Sequence, residues 1–271
     1  MEYLRFDVKS DIPAPMFVGS SVRGALGAAL KSVVCVNPAY ECEGCFGAQG
    51  CLYYDLYERR SPYHDYRLDI ELSPGTYRFG LVLFGQVMER YPYILSAIEK
   101  MFVKKGLGAR RQKSENFEIW CDGEAVYRDG DFARNVQIKP KSLQNDRFCP
   151  SVRVKYVMPL RIKKGGRIAG PEDIEPKDVM VSVAKKLEHF GEGRVEFGSV
   201  PRVVERKLRF LDLQRYSNRQ RTKMKIGGVV GEMVLEGVDE TAYGLFRAAE
   251  VLGAGKLGTF GLGKVVVEDL V

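Results

Sequence analysis

The sequence predicts an α+β protein made of two similar halves, and three observations support this class. Apolar residues recur at three- and four-residue intervals in helical segments, β-branched segments flank those helices, and a glycine-rich connection joins a helix to a strand near the end of each half. Each half therefore has the order strand, helix, strand, strand, helix, strand, which is the order of a ferredoxin-like (βαββαβ) domain. We predict two tandem ferredoxin-like domains, residues 1–145 and 146–271.

The first half begins with the strand EYLRFDVKS and continues with a helix over GSSVRGALGAALKSVV, residues 19–34, for which Ser20 or Ser21 is the expected N-cap. Two strands joined by a Pro-Gly turn follow in YRLDIELSPGTYRFGLVLFG. A second helix, a Gly-x-Gly loop at Gly106 and Gly108 and a last strand complete the predicted domain, which carries a cysteine-rich insertion.

The second half repeats this order with little residue identity to the first. VRVKYVMPLRI is a predicted strand and EPKDVMVSVAKKLEHFG a helix that ends at a glycine. KLRFLDLQRYS and KIGGVVGEMVLEGV are strands, DETAYGLFRAAEVL is a helix, and KVVVEDLV is the final strand.

The composition predicts an anionic partner and no membrane-spanning segment. The 271 residues include 42 Lys and Arg against 35 Asp and Glu, a formal net charge of +7, which favours nucleic acid as a partner. The N-terminal residues are charged throughout, and no stretch approaches 18 uncharged apolar residues. These features predict a soluble cytoplasmic protein, in which the six cysteines are not a disulfide framework.

A glycine-rich stretch, LGAGKLGTFGLGK at residues 252–264, satisfies the G-x-G-x-x-G pattern of dinucleotide-binding loops. The pattern needs a strand before it and a helix after it, whereas here a helix precedes and a strand follows. The order argues against a dinucleotide. Glycines also let backbone amides approach phosphates, so the stretch predicts a phosphate cradle or, more plainly, a ligand-free connection.

A basic segment precedes that loop. Between Pro201 and Lys225 there are nine basic residues and two acidic ones, and QRYSNRQRTKMK alternates so that four basic residues share one face of a strand. This pattern predicts repeated contacts with an RNA backbone; a solvated edge strand kept charged against aggregation is the alternative.

Four cysteines occur in CVNPAYECEGCFGAQGC with the spacing C-x6-C-x2-C-x5-C: Cys35, Cys42, Cys45 and Cys51. Thiolates at such spacing in a short glycine-containing loop can converge on a tetrahedral ion, which predicts a structural zinc site. An iron–sulfur cluster uses the same ligands, and reduced thiols without metal are the third interpretation.

Several of these stretches resemble one family. DLQRYSNRQRTKMKIGGVVGEMVLEG and GAGKLGTFGLGKV, with PMFVGSSVRGALGAALKSVVC, SPGTYRFGLVLFGQV and KKGLGARRQ in the first half, are similar to the corresponding stretches of the CRISPR-associated Cas6 endoribonucleases. The resemblance implies two ferredoxin-like domains that bind a CRISPR repeat RNA and cut it once, without a metal cofactor for catalysis, to release guide crRNAs. It also implies other Cas proteins as partners.

The charge pattern and the resemblance together predict a set of RNA-binding residues in the first helix, the basic segment and the glycine-rich loop. They are Arg23, Arg215, Arg219, Arg221, Lys223, Lys225, Gly255, Lys256, Gly258, Gly261, Gly263 and Lys264.

RNA cleavage through the 2′-OH needs a base, an acid and a cation or amide donors for the phosphorane. Members of the family often carry a histidine shortly after the first helix, but here no histidine precedes His64 and the cysteines occupy that segment. We predict His64, Tyr40 and Lys31 as catalytic residues. The missing early histidine keeps open a non-cleaving RNA-binding subunit of a CRISPR complex, and a metal-stabilised nucleic-acid-binding protein outside CRISPR biology is a third class.

Overall fold

The computed structural model describes residues 1–143, 147–217 and 222–270, and for residues 215–217 and 223 it describes the backbone alone. The chain divides into two compact units. The N-terminal unit comprises Glu2–Leu68 and Leu72–Lys141, and the C-terminal unit comprises Met1, Asp69–Glu71 and Ser142–Val271.

The first half of the chain forms one sheet and two main helices, and its core elements follow the predicted order. Its elements are β1 (Glu2–Pro13), α1 (Gly19–Val34), β2 (Tyr66–Asp69), β3 (Thr76–Phe84), α2 (Tyr91–Lys100), β4 (Phe117–Cys121), β5 (Glu124–Arg128) and β6 (Asp131–Phe132). The sheet order β2-β3-β1-β4-β5-β6 places the first and last strands of the βαββαβ core side by side at its centre. Helices α1 and α2 pack together.

The second half repeats the arrangement. Its elements are β7 (Lys141–Ser142), β8 (Ser151–Leu160), β9 (Lys163–Lys164), β10 (Arg167–Ile168), α3 (Pro176–His189), β11 (Arg202–Leu211), β12 (Gln214–Ser217), β13 (Thr222–Lys225), β14 (Gly228–Glu236), α4 (Glu240–Leu252) and β15 (Val265–Asp269). The antiparallel sheet has the order β11-β14-β8-β15, and α3 packs on α4. The predicted fold class, two ferredoxin-like domains, is confirmed.

Alternation of apolar and polar residues explains the strands. In β8 the side chains of Val152, Val154 and Tyr156 are buried, whereas the residues between them are partly exposed. In α4 the buried residues recur at helical spacing, including Leu245, Ala249 and Leu252. Each sheet therefore buries one face against its own two helices.

One local prediction is wrong. Neither Ser20 nor Ser21 caps α1, because the helix begins at Gly19 with Val18 in the N-cap position. The Ser21 hydroxyl instead donates to the Val18 carbonyl oxygen at 2.8 Å. Among the described residues, no helix is both long enough and apolar enough to cross a membrane.

Candidate functional site

One face of α1 carries two cations and a glycine between them. Arg23, Gly27 and Lys31 are spaced four residues apart, so they lie along one side of the helix. We call this side, with the aromatic residues that cover it, the α1 face. Tyr57 packs on Gly27, where a Cβ would lie 2.6 Å from the ring edge, and Tyr53 stacks on Tyr57 with ring centroids 5.3 Å apart. Glycine at position 27 thus lets a tyrosine ring lie against the helix backbone.

At the first end of the α1 face, the Arg23 end, a histidine lies near a cation. The Arg23 guanidinium lies 5.0 Å from the Tyr57 ring centroid, and the Tyr57 hydroxyl donates to the Arg23 carbonyl oxygen at 3.2 Å. His64, just before β2, lies beside Tyr66 with ring centroids 6.4 Å apart. Its Nδ1 is buried and makes no hydrogen bond within the described part of the chain.

Burial, and then the charge of Arg23, lower the pKa of His64 from its ordinary value of 6.5. The imidazole is therefore neutral at pH 7 and retains a lone pair. Burial raises the pKa of the Tyr66 phenol, although Arg23 opposes this effect. The Arg23 end thus combines a neutral base, a permanent cation and a protonated phenol.

At the second end of the α1 face, the Lys31 end, a cation lies between two tyrosines. Lys31 Nζ lies 4.8 Å from the Tyr40 ring centroid and 5.1 Å from the Tyr53 ring centroid. The Tyr53 hydroxyl donates to Glu58 Oε1 at 3.2 Å, and burial together with Glu58 raises the pKa of the Tyr53 phenol. Tyr40 has a φ of 58°, an uncommon value for a bulky residue. This end offers a cation and protonated phenols.

The predicted catalytic residues therefore lie at opposite ends of the α1 face. Arg23 and Lys31 are eight residues apart on α1, which corresponds to about 12 Å along a helix axis. His64 lies at the Arg23 end, whereas Tyr40 lies at the Lys31 end. Arg23, predicted to bind RNA, is the cation next to the histidine.

The four clustered cysteines line one pocket. Cys35, Cys42, Cys45 and Cys51 surround it together with Tyr53; all four are half-buried, and none of them forms a disulfide. Within residues 1–143, 147–217 and 222–270, no three histidine, cysteine or acidic side chains are arranged as metal ligands. The thiols thus share a pocket without standing at ligand spacing.

The glycine-rich loop, residues 253–264, uses its backbone amides inside the fold. The amide of Gly255 donates to the Ser182 hydroxyl at 2.8 Å, that of Lys256 to the Arg161 carbonyl at 2.9 Å, and that of Gly263 to the Pro159 carbonyl at 3.1 Å. The amide of Gly261 donates to the Gly258 carbonyl at 2.8 Å. These glycines hold the loop against its own unit, and the predicted phosphate contacts remain a prediction.

The two lysines of this loop differ. Lys256 is exposed, whereas Lys264 Nζ lies 3.2 Å from Asp69 Oδ1 and 3.0 Å from Glu71 Oε1. Asp69 and Lys264 are both mostly buried, at 6% and 17% side-chain exposure. The charge of Lys256 is thus available to a ligand, whereas two carboxylates already offset the charge of Lys264.

The basic segment is described in part. Strands β12 and β13 pair antiparallel from Gln214 opposite Lys225, and Lys225 forms an ion pair with Asp212 at 3.0 Å. Arg219 and Arg221 lie outside the described residues, as do the side chains of Arg215 and Lys223.

Carboxylates offset part of the charge of the adjacent strand. Three basic residues of β11 have acidic partners, in the pairs Arg202–Glu236, Arg206–Glu175 and Lys207–Glu205. The positive charge of this segment is therefore partly neutralised within the protein.

Two of the tyrosines on the α1 face, Tyr53 and Tyr57, are not among the residues predicted from the sequence. Tyr53 and Tyr57 are four residues apart, and so are Arg23 and Gly27. This shared spacing is the available signal that two helical turns meet face to face.

Comparison with known families covers nearly the whole chain. Residues 2–141 match a family model described as an N-terminal domain, and residues 154–265 match the model of the CRISPR-associated endoribonuclease Cas6. An uncharacterized protein of Archaeoglobus fulgidus is 24% identical, over 92% of this chain and 91% of its own.

Solved structures give the same result at the level of the fold. Cas6 of Thermus thermophilus is 16% identical with a TM-score of 0.61, and the match covers 98% of each chain. A Cas6 product complex is 15% identical, also with a TM-score of 0.61, over 99% of this chain and 100% of that one.

Proposed function

This chain belongs to the Cas6 family, and on that premise we propose that it binds the repeat RNA of CRISPR transcripts and cuts it once per repeat to release guide crRNAs. The observation that carries the cleavage proposal is the position of His64 at the Arg23 end of the α1 face, where its ring lies 6.4 Å from that of Tyr66 and Arg23 is near enough to lower its pKa. A neutral imidazole next to a fixed cation supplies the base and the charge stabilisation that transfer of a phosphate to a 2′-oxygen requires.

In the proposed mechanism, His64 accepts the proton of the 2′-OH as that oxygen attacks the adjacent phosphorus. Arg23 stabilises the negative charge that develops on the phosphorane oxygens. A protonated donor, either a phenol of the same end or water, supplies the proton to the leaving 5′-oxygen. The products are a 2′,3′-cyclic phosphate and a 5′-hydroxyl.

RNA binding draws on the basic residues that the fold leaves available. Lys256 is exposed on the glycine-rich loop, and the basic segment ends at Lys225, whose side chain is 76% exposed beside Asp212. We assign phosphate contacts to these residues and to Arg215, Arg219, Arg221 and Lys223. Such contacts position RNA without reading its sequence.

A non-cleaving RNA-binding subunit is the second candidate, and the position of the histidine is what favours it. His64 is half-buried and is one of two histidines in the chain, the other being His189 in α3. If its imidazole serves only packing, the protein holds repeat RNA for other Cas proteins and cuts nothing.

The proposal is tested with a repeat RNA in EDTA and with the same RNA carrying one 2′-deoxy nucleotide upstream of the scissile phosphate. We expect a single cut with a cyclic phosphate end in the first RNA, and intact binding without cleavage in the second. Binding of both RNAs without any cut supports the subunit. Cleavage of the deoxy substrate at the usual place contradicts the mechanism.

Variants locate the chemistry. His64→Ala should lower the single-turnover rate about 10²- to 10⁴-fold with little change in RNA affinity, whereas His189→Ala, the matched control, should not. Because burial and Arg23 lower the pKa of His64, the rate should stay high as the pH falls through 6.5 and drop only below it. If Lys31→Ala or Tyr40→Phe abolishes cleavage while His64→Ala cleaves normally, the chemistry belongs to the Lys31 end.

A further inference from the structure

The cysteine-rich loop has neither regular secondary structure nor a hydrophobic core of its own. Residues 36–51 contain no helix or strand, a length at which loops without secondary structure are uncommon in compact domains. Its larger apolar side chains face solvent, with Val36 73% and Phe46 78% exposed. Hydrophobic burial thus contributes little to the order of this loop.

Its backbone forms three successive turns, each of which begins or ends at a cysteine. The amide of Cys45 donates to the Cys42 carbonyl at 3.4 Å, that of Ala48 to the Cys45 carbonyl at 3.1 Å, and that of Cys51 to the Ala48 carbonyl at 3.2 Å. Three of the four cysteines begin or end these turns and line the same pocket. Cys35 joins them from the end of α1, so that all four thiols line a single pocket.

We propose that this pocket binds one zinc ion through the thiolates of Cys35, Cys42, Cys45 and Cys51. In the structure the four thiols share the pocket but do not stand at ligand spacing, so binding must draw the turns inward until each sulfur lies about 2.3 Å from the ion. Thiolate ligation would supply the folding free energy that apolar packing does not supply here.

The same closure would fix a part of the α1 face. Tyr40 lies two residues before Cys42, has a left-handed backbone, and places its ring 4.8 Å from Lys31 Nζ. A backbone in that region is kept only where its surroundings determine it. The zinc site would therefore position Tyr40 against Lys31. This role does not depend on RNA cleavage.

The test measures metal, thiols and stability in the full chain. Protein purified without chelator should contain one equivalent of zinc and little iron. A thiol reagent should modify four more cysteines after the metal is removed with a chelator than before. The double variant Cys42→Ser/Cys45→Ser should lose the zinc and melt several degrees lower, whereas Cys149→Ser, outside the pocket, should keep it.

Other outcomes overturn the proposal. Wild-type protein without stoichiometric zinc after zinc is supplied, or with iron and inorganic sulfide in its place, excludes the zinc site, as does equal thiol reactivity with and without chelator. Because these measurements use the wild-type chain, they decide the matter even if the double variant fails to fold. If the double variant loses zinc but cleaves RNA at the wild-type rate, the zinc-site proposal stands, and zinc binding is shown to be independent of the proposed nuclease activity.

Discussion

Glycine serves different purposes in the α1 face and in the glycine-rich loop. At Gly27 the missing Cβ admits a side chain, the ring of Tyr57. At Gly255 and Gly263 it admits backbone, since a Cβ there would lie 2.7 Å from the Arg161 carbonyl oxygen and 1.8 Å from the Ala254 carbonyl oxygen. A string of glycines that resembles a ligand cradle is thus largely a packing device, whereas a single helical glycine helps to form the candidate active site.

The polar groups of the two regions differ in the same way. The amides of the loop residues Gly255, Lys256 and Gly263 donate within the fold, whereas Nδ1 of His64 makes no hydrogen bond in the described part of the chain. A buried nitrogen without a hydrogen-bond partner costs free energy and calls for a specific explanation, of which a role in catalysis is one. This difference is why we place the chemistry at the α1 face.

The largest expected effect tests the packing role of the loop. Gly263→Ala should destabilise the protein by about 3 kcal/mol or more, because its φ of 75° is strained for alanine and its Cβ would overlap the Ala254 carbonyl oxygen. Gly237→Ala is the matched control, with a φ of 69° and open space around the Cβ. It should cost only about 1 kcal/mol. Chemical denaturation measures both, and equal losses would show that close packing is unimportant at Gly263.

Much of the fold follows from the sequence because periodicity records burial. The bounds predicted for α1, residues 19–34, agree with the structure, since its apolar residues recur at helical spacing on one side. The predicted cap is wrong because Ser20 and Ser21 already lie inside the first turn, with Val18 in the N-cap position.

The candidate site is less predictable for a physical reason. The sequence predicts His64 as catalytic because no histidine precedes it, but its proximity to Arg23 depends on how residues 53–66 fold back on α1, and local spacing does not encode that path. Lys264 shows the reverse case. Its charge suggested a phosphate contact, whereas the structure pairs it with Asp69 and Glu71, which lie far away in sequence.

An intermediate effect compares the two lysines of the loop. Lys256→Ala should weaken RNA binding and reduce the slope of log K against log salt by roughly 0.7, the value for one phosphate contact of a single strand. Lys264→Ala should instead lower the free energy of unfolding by about 1–3 kcal/mol, since it removes a cation from the nearly buried Asp69 carboxylate. Salt titrations of RNA binding and denaturant melts distinguish them. A larger loss of RNA affinity from Lys264→Ala than from Lys256→Ala would contradict the assignment.

The smallest expected effect compares two glycines of one helix. Gly24→Ala should stabilise the protein by about 0.5–1 kcal/mol, because the position is exposed, nothing lies within 4 Å of the added Cβ, and alanine favours helix. Gly27→Ala has the same propensity gain but must displace the Tyr57 ring, which also contacts Tyr53 and Arg23. Gly27→Ala should therefore give no net stabilisation. It should also slow RNA cleavage, although Gly27 itself takes no part in the reaction. If Gly27→Ala is as stabilising as Gly24→Ala and cleaves at the wild-type rate, the ring does not rest on α1 as described, and the α1 face loses its structural basis.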